Sequence, residues 1–590
     1  MENREKLIVA IILLLAFSTS AYSITQHHLL DMDSYSELLL AKNALGGKLS
    51  TARPFLYQLT IFLYQISSSG EKFDAALLLS IAKILPVVFS LVCAVSFYFM
   101  LKHMLSDIAA FGGAVLLASS QAFLLRMSSG IYSTGALGMC AFTLACAAFF
   151  LFYSKRNYLL LIVSFILFGI SAMSWNAAWV MIGGILLSLF IQLVYQCRKR
   201  WDAVLAHGVI AVFIVFLLTY FIAPRESIFK EMKAANLEVY LLNLPLIIIG
   251  AAAFVARIAG RHKCRGKFEF FITSFFIFSI ILSLFEIFPS SLGVALFSAF
   301  ALNELVGVRD EKLALALFSG MLLFSSFEFS QTFLSLSQAA LASLLIAATS
   351  IFIASLYREK KIATYIALSA MALSLFSSVG FAALTSSQRR DVIGAGVDEM
   401  LEWAGKSLPD DANVWAFRIS PLVEFTAGRR SYANDTEFAR FMLSNESAGS
   451  LRGNNITHVI IDAALFDSME TLKTLANNTK VRIDSFRFFS YGRDSEGNAY
   501  AVFASRDGKV AWAQADPSGS LVEGNVVIVT SEGRWVVPLK KFLRLGSSRL
   551  IYPQDNYRVN LFTMFFEDVN GLRLVHTSED EEIKVFEVLE

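Results

Sequence analysis

Two aspartates, Asp31 and Asp33, stand with Tyr35 a few residues beyond the end of the first long apolar segment of the chain. Carboxylates at a membrane boundary are hydrated at little cost and lie close enough to meet a lipid-borne substrate. Such a group can act as a general base on an acceptor or bind a divalent cation through oxygen ligands. The alternative is a polar cap at the end of a membrane helix, for which one acid is enough. Because two acids and a tyrosine occur together, we favour the functional reading.

Two further charged residues, Glu286 and Arg225, lie near predicted membrane boundaries. An acid within or beside a membrane segment is a candidate functional residue, although Glu286 is also explained as an interfacial acid that ends a helix. Arg225 opens an outer loop and can pair with a lipid phosphate. It can equally pair with Glu226 or Glu231.

Histidines and tryptophans are weaker candidates. His27 and His28 adjoin the acid pair, but they have no third partner at metal-ligand spacing, so exposed interface histidines are favoured. Trp175 and Trp179 are typical of the aromatic belt at a membrane interface, with glycan stacking as the alternative.

The amino-acid composition indicates what kind of protein carries these residues. Of 590 residues 56% are hydrophobic and 17% are charged, whereas soluble proteins have about a quarter charged. The apolar excess is confined to residues 1–385, which predicts a polytopic α-helical membrane domain followed by a soluble domain. The formal net charge of +2 gives no reason to expect a nucleic-acid partner.

Long apolar segments locate the predicted membrane spans, because a spanning helix needs about 20 apolar residues. Lys and Arg occur in every second connection, which places the amino terminus on the cytoplasmic side and the carboxy-terminal domain outside. The first segment also fits a signal peptide, but a retained helix is favoured because further helices follow. The thirteen predicted spans are 7–23, 76–101, 107–126, 134–153, 158–173, 177–196, 205–222, 237–256, 268–286, 290–306, 313–328, 333–356 and 362–384.

Four Asn-x-Ser/Thr sequons agree with an exterior carboxy-terminal domain, although chance in an asparagine-rich stretch explains them equally well. The domain contains no cysteine, so disulfides do not stabilise it. The sequons begin at Asn434, Asn445, Asn455 and Asn477.

The chain therefore divides into a membrane domain, 1–385, and two exterior parts, 386–480 and 481–590. In the membrane domain the first outer loop, 24–75, contains a short amphipathic segment at 54–64 that is expected to lie in the interface. The first exterior part mixes helices with buried strands. The second has short strands separated by turn signals, which favours an antiparallel sheet or sandwich.

The run from Asp33 to Asn43 resembles the first-loop signature D-P-Y-Y-H-L-R-L-A-E-N of oligosaccharyltransferase catalytic subunits, which belong to the GT-C class of membrane glycosyltransferases. Thirteen spans and an exterior carboxy-terminal domain are also that family's architecture. Weaker similarity covers most of residues 1–480. It includes the runs Phe123–Gly130, Ser174–Trp179 and Val423–Arg429.

The resemblance implies that Asp33 binds a metal ion, Mn²⁺ or Mg²⁺, and contacts the acceptor. It implies a second metal ligand at Glu286, which fits the fifth-loop S/T-x-x-E pattern. Asp31 is a second candidate for catalysis. Tyr35, Arg126 and Arg225 are candidates for substrate binding.

Two hallmark motifs of the family are missing. The second-loop D-x-D aligns with Ser133 and Gly135, which supply no carboxylate, so metal binding should be weakened. The W-W-D-Y-G motif, which recognises the sequon hydroxyl, aligns with residues 416–420, which read A-F-R-I-S.

We therefore predict a divergent oligosaccharyltransferase-like enzyme in the lipid bilayer. It would transfer a glycan from a polyprenyl phosphate or pyrophosphate carrier to a protein acceptor. The alternative is a catalytically silent homologue that binds the lipid-linked glycan or a partner subunit. A transporter is less favoured, because the predicted spans contain few charges or breaks.

Overall fold

The computed structural model divides into two compact units, Met1–Val392 and Ile393–Glu590. It describes residues 3–21, 24, 29, 32–45, 54–68, 73–119, 121–175, 178–197 and 203–222, a few positions between 271 and 303, and most of 395–589. Each unit has its own buried core.

The regular elements in the described part of the first unit are all helices. Each predicted apolar segment before residue 223 is helical over most of its length, and 107–126 is covered by two helices, α5 and α6. The predicted spans from 237 onward lie wholly or almost wholly outside the described residues. The helices are α1 (Asn3–Ser20), α2 (Met32–Leu45), α3 (Pro54–Ser67), α4 (Ala75–Lys102), α5 (Asp107–Ser119), α6 (Gln121–Met127), α7 (Thr134–Lys155), α8 (Tyr158–Ser174), α9 (Ala178–Cys197) and α10 (Ala203–Ile222).

Within the described residues, α4 and α7 are long and apolar enough to cross a membrane. The start of each is fixed by a side-chain cap, because the Asp74 carboxylate accepts the backbone N–H groups of Ala76 and Leu77. The Ser133 hydroxyl accepts the N–H of Ala136 at 3.3 Å and caps α7 in the same way. These caps define the ends of α4 and α7 that flank the first and second outer loops.

Helix α7 and the end of α8 approach each other backbone to backbone. A Cβ atom added to Gly138 would lie 2.2 Å from the Cβ of Trp175 and 3.0 Å from its backbone nitrogen. Trp175 is 6% exposed and meets Phe142 edge to face, with ring centroids 6.1 Å apart. The indole of Trp175 therefore fills the space that Gly138 leaves open between the two helices, and its predicted position at the membrane interface stays a prediction.

We expect Gly138→Ala to destabilise the first unit by about 1–3 kcal/mol, because the new methyl group overlaps the backbone of Trp175 rather than a flexible side chain. Gly169→Ala on α8 is the matched control, since a Cβ atom there meets nothing within 4 Å. Thermal unfolding of the purified chain in detergent measures both. Equal melting temperatures for the two variants would show that the helices do not pack as described.

The second unit contains a mixed sheet with strand order β11-β12-β3-β1-β2. Strand β1 pairs in parallel with β2 and β3, whereas β12 is antiparallel to β3 and β11. The predicted strands 413–417 and 458–462 correspond to β1 and β3. The strands of this sheet are β1 (Asn413–Ala416), β2 (Arg430–Tyr432), β3 (His458–Asp462), β11 (Leu572–Thr577) and β12 (Ile583–Val588).

Short helices surround this mixed sheet, and the predicted helix at 392–407 corresponds to α11. The predicted helix at 421–427 begins as α12 but continues as a single π-helical turn, Val423–Ala427, which ends at Gly428 with a φ of 69°. The helices are α11 (Ala395–Ser407), α12 (Ser420–Leu422), α13 (Asp435–Met442), α14 (Gly449–Arg452), α15 (Ala464–Asp467), α16 (Met469–Ala476) and α17 (Asn560–Phe566).

A second sheet in this unit is antiparallel throughout, with strand order β8-β7-β6-β5-β4-β10-β9. Its buried face packs Phe486, Phe503, Ile528 and Phe542 into a core. The strands are β4 (Ile483–Arg493), β5 (Ala499–Ala504), β6 (Val510–Ala515), β7 (Leu521–Thr530), β8 (Gly533–Pro538), β9 (Leu543–Leu545) and β10 (Arg549–Pro553).

The division of the carboxy-terminal region at residue 480 stays a prediction. The strand pairing shows in addition that residues from both sides of that boundary share one sheet. The last two strands return to the first sheet, where β12 pairs with β3 and β11 pairs with β12. The antiparallel sheet is therefore inserted, along the sequence, between the two parts of the mixed sheet.

Three of the four sequon asparagines have a local structural role. The Asn434 side chain accepts the N–H of Glu437 and caps α13. Asn455 and Asn477 have positive φ angles of 55° and 52°, a conformation that asparagine tolerates better than most residues. Backbone geometry thus accounts for these asparagines, and the sequons carry less weight for an exterior location.

Candidate functional site

Asp33 lies in the first turn of α2, and its side chain is exposed. The positive end of the helix dipole makes this a favourable place for a negative charge. Helix α2 lies within the predicted first outer loop, so Asp33 is carried by a short helix and not by one of the predicted spans.

The second outer loop is attached to α2 one residue after Asp33. The Ser34 hydroxyl is buried and accepts the backbone N–H of Tyr132 at 2.9 Å. Tyr132 immediately precedes Ser133, which caps α7. This hydrogen bond holds the turn of α2 that carries Asp33 next to the second loop. In the family that the chain resembles, the same loop carries two carboxylates, which Ser133 and Gly135 replace here.

Two further hydrogen bonds join α3 to this cluster. The hydroxyl groups of Thr60 and Tyr132 lie 2.7 Å apart, both buried, and the Tyr57 hydroxyl donates to the carboxylate of Glu37. Burial raises the pKa of Tyr132, the Thr60 hydroxyl lowers it, and the charge of Glu37 raises it further. Tyr132 therefore stays protonated at neutral pH, and its hydroxyl keeps a proton for hydrogen bonding.

We call Ser34, Glu37, Tyr57, Thr60 and Tyr132 the loop cluster. It joins α2, α3 and the second outer loop through side chains that are mostly buried. Because each hydrogen bond crosses between elements, the cluster fixes the first turn of α2 and with it the backbone of Asp33. Sequence reasoning did not identify these residues, since isolated Ser, Thr and Tyr residues carry no distinctive pattern.

Of the other predicted site residues, Tyr35 and Arg126 lie in the described part of the chain. Tyr35 is 1% exposed and its hydroxyl accepts the N–H of Leu29 at 3.1 Å, so it packs inward beside the site. Arg126 lies in the last turn of α6 with an exposed side chain. Asp31, Arg225 and Glu286 lie outside the described residues, as do His27 and His28.

The described residues near Asp33 do not fit a divalent cation. Mg²⁺ and Mn²⁺ prefer several oxygen ligands, usually including carboxylates. Ser133 uses its hydroxyl to cap α7, Gly135 has no side chain, and Glu37 is hydrogen-bonded by Tyr57. In the part of the chain that the structure describes, no three Asp, Glu, His or Cys side chains are grouped to hold a metal ion.

Three of the positions aligned with W-W-D-Y-G serve packing within the second unit. Ala416 and Phe417 are buried, and the Ser420 hydroxyl donates to the carbonyl oxygen of Ala416 at 2.7 Å. In the similar run that follows, Arg429 forms an ion pair with Asp410 at 2.6 Å and donates to the carbonyl oxygen of Gly405. The segment is therefore an ordered helix-to-strand connection whose described side chains are largely engaged within the unit.

Helices followed by a β-rich region make up a fold that is shared with solved oligosaccharyltransferase structures, and the resemblance to oligosaccharyltransferase catalytic subunits is confirmed at the level of fold. No protein-family profile and no curated protein sequence matches the chain.

Solved structures that share the fold include several of one archaeal protein. Archaeal oligosaccharyltransferase AglB from Archaeoglobus fulgidus, in complex with an inhibitory peptide and a dolichol-phosphate, aligns over 98% of this chain and 80% of its own, with a TM-score of 0.64 at 13% identity. The apo form of the Archaeoglobus fulgidus enzyme aligns over 97% and 79%, with a TM-score of 0.60 at 13% identity. Its complex with Zn and sulfate has a TM-score of 0.51 at 15% identity over the same shares of the two chains.

Proposed function

We propose that this protein is a membrane glycosyltransferase that takes a glycan from a polyprenyl phosphate or pyrophosphate carrier and transfers it to a protein acceptor. The observation that carries the proposal is the position of Asp33. It is an exposed acid held beside the second outer loop, in a chain whose fold matches that of an oligosaccharyltransferase over 98% of its length. That relative was solved with a dolichol-phosphate and an inhibitory peptide, a lipid phosphate and a peptide that fit the two proposed substrates.

In the proposed reaction, Asp33 orients the nucleophilic group of the acceptor and takes its proton. The acceptor forms a bond to the anomeric carbon of the glycan as the bond from that carbon to the carrier phosphate oxygen breaks. The carrier leaves with both electrons of the broken bond. Asp31 is proposed as an assisting acid.

Substrate binding is proposed for three residues of the first unit. Arg126 is exposed at the end of α6, where a guanidinium can pair with a phosphate. The same role is proposed for Arg225, and Tyr35 is proposed to support the acceptor side of the site. Glu286 remains proposed as a ligand for Mn²⁺ or Mg²⁺ together with Asp33. No step of the reaction above depends on that ion.

The proposed topology has thirteen spans, a cytoplasmic amino terminus and an exterior carboxy-terminal unit. It rests on the apolar segments and on the alternation of basic connections along the sequence. This topology places Asp33 on the same side of the membrane as the carboxy-terminal unit.

A second candidate function is a catalytically silent homologue that binds a lipid-linked glycan or a partner subunit. Ser133 and Gly135 favour it, because they replace the two carboxylates of the second loop. Asp33 and the buried loop cluster favour the enzyme, since a silent protein has no need to hold an exposed acid in this place.

The test is a transfer assay with the purified full-length chain, a lipid-linked glycan donor and a labelled Asn-x-Thr peptide. We expect glycopeptide to form, with a Gln-x-Thr peptide as the unreactive control. Binding of the donor without any glycopeptide, across peptide and sugar acceptors, would favour the silent homologue and overturn the proposal.

A further inference from the structure

The sequon that begins at Asn445 lies in an exposed loop of the second unit. Its residues, Asn445, Glu446 and Ser447, stand between α13 and α14, outside any helix or strand, and all three are exposed. A glycan attached to asparagine is bulky and needs a place on the surface, so an exposed loop is where a sequon can be used. This sequon therefore meets the first requirement for modification of the folded chain.

The two side chains that define this sequon are available to an enzyme. Among the residues that the structure describes, neither the Asn445 carboxamide nor the Ser447 hydroxyl forms a hydrogen bond. The carbonyl oxygen of Ser447 accepts the hydroxyl of Ser450 at 3.0 Å, so the loop is held by its backbone at this point. The acceptor amide and the sequon hydroxyl can therefore be bound without breaking a contact of the loop.

Asn560, the first residue of α17, anchors the loop on both sides of Asn445. Its backbone N–H donates to the carbonyl oxygen of Ser444 at 2.9 Å, and its side-chain amide donates to the carbonyl oxygens of Phe441 and Glu446, each at 3.0 Å. Asn560 is 4% exposed, so it holds the loop from the inside of the unit. The loop thus presents Asn445 at a defined place on the surface.

The sequons at Asn434 and Asn455 are engaged in the fold instead. Thr436, the third residue of the first of these sequons, lies in the first turn of α13, which Asn434 caps. In the other sequon the Thr457 hydroxyl donates to the carbonyl oxygen of Asn413 at 3.1 Å and accepts its N–H at 2.9 Å. An enzyme that reads a sequon has to reach the amide and the hydroxyl together, so these two sequons would have to give up a helix cap or hydrogen bonds between strands.

We propose that Asn445, and not Asn434 or Asn455, carries an N-linked glycan. The inference rests on the proposed topology, which puts the second unit outside, and not on glycan transfer by this chain itself. The donor is a polyprenyl phosphate-linked glycan, used by an enzyme that recognises Asn-x-Ser/Thr. The Nδ2 atom of Asn445 forms a bond to the anomeric carbon as the bond from that carbon to the carrier phosphate oxygen breaks. The carrier leaves with both electrons of the broken bond, and a base of the modifying enzyme takes the amide proton.

The experiment is peptide mass spectrometry on the full-length chain purified from its native membrane. Trypsin cleavage after Arg440 and after Arg452 releases the peptide 441–452, in which Asn445 is the only asparagine. We expect this peptide to carry added glycan mass and to release sugar fragment ions. Complete recovery of the unmodified peptide would overturn the proposal.

The same digest tests the choice between sequons, because Asn434 and Asn455 fall on the separate peptides 431–440 and 453–473. We expect both of these peptides to be unmodified. Glycan on either of them would overturn the argument that helix capping and strand contacts protect their sequons.

Variants show whether the modification is read from the sequon. We expect Asn445→Gln and Ser447→Ala to lose the added mass completely, and Ser447→Thr to keep it, because threonine retains the hydroxyl. Both positions are exposed, so the melting temperature should stay the same in all three variants. Wild-type modification in Ser447→Ala would mean a reaction that does not read the sequon and would overturn the assignment.

Asn445→Cys separates failure of this inference from failure of the topology. A membrane-impermeant maleimide applied to intact cells labels the new thiol only if the second unit is outside, and the wild-type chain with its five cysteines gives the background. Labelled Asn445→Cys with unmodified Asn445 in the wild type would overturn the inference and leave the topology standing. If Asn445→Cys is unlabelled and the wild type unmodified, both are overturned.

Discussion

Asp33→Asn is expected to lower the rate of glycan transfer by about 10²–10⁴-fold, the usual contribution of general acid–base catalysis. Asparagine keeps the size of the side chain and its place in the first turn of α2, so the loop cluster remains intact. The loss should therefore appear in kcat, with little change in the affinity for the lipid carrier.

Asp107→Asn is the matched control for this variant. Asp107 is also an acid in the first turn of a helix, α5, and it follows the same end of α4 as Lys102 and His103. Steady-state transfer assays on both variants and on the wild type make the comparison. Unchanged kcat in Asp33→Asn would refute the assigned role of Asp33, whatever the protein's activity.

Trp415→Ala is expected to destabilise the second unit by about 3–5 kcal/mol, the usual cost of removing a large buried aromatic side chain. Trp415 lies on β1, is 2% exposed, and its ring centroid is 5.1 Å from that of Phe438 and 5.8 Å from that of Phe441. For a unit of this size the loss corresponds to a fall in melting temperature of roughly 10 °C.

Trp415→Phe provides the control. Among the described residues the indole Nε1 has no hydrogen-bond partner, so phenylalanine keeps most of the ring contact and removes an unsatisfied N–H group. We expect this variant to lose much less stability than Trp415→Ala in thermal unfolding of the intact chain. If both variants were equally unstable, the indole N–H would have a polar partner that the core as described does not contain.

Apolar length predicted most of the described first unit. The segments at 76–101 and 134–153 differ from α4 and α7 by at most two residues at each end, because Asp74 and Ser133 are strong capping residues just before long apolar runs. Helix α2 was not predicted as a helix. Its sequence is short and mixed in polarity, and the contacts of Ser34 and Glu37 with other elements help to hold it.

The sequence named Asp33, Tyr35 and Arg126 as candidate site residues, and their roles stay predictions, whereas the loop cluster was missed. Asp33 was identified from its place after the first span and from the resemblance of the run that follows it. The Ser34–Tyr132 and Thr60–Tyr132 contacts join residues 98 and 72 positions apart, and such pairings depend on tertiary packing that no local pattern encodes.

The second unit shows the same limit. Strand β3 was predicted from its apolar run, His458–Asp462, but its pairing with β12 joins the middle of the unit to its last strand. Strand partners and register follow from which faces are buried together, and a sequence read segment by segment does not reveal them.

The proposed activity is the transfer of a glycan from a polyprenyl phosphate carrier. Its most direct test is a single-turnover reaction with the full-length protein in excess over a labelled lipid-linked donor, in which glycopeptide and released carrier are both quantified. We expect one glycopeptide for each carrier released, and both products to form about 10²–10⁴-fold more slowly with Asp33→Asn. Donor that stays bound and intact through a prolonged incubation with the wild-type protein would contradict it.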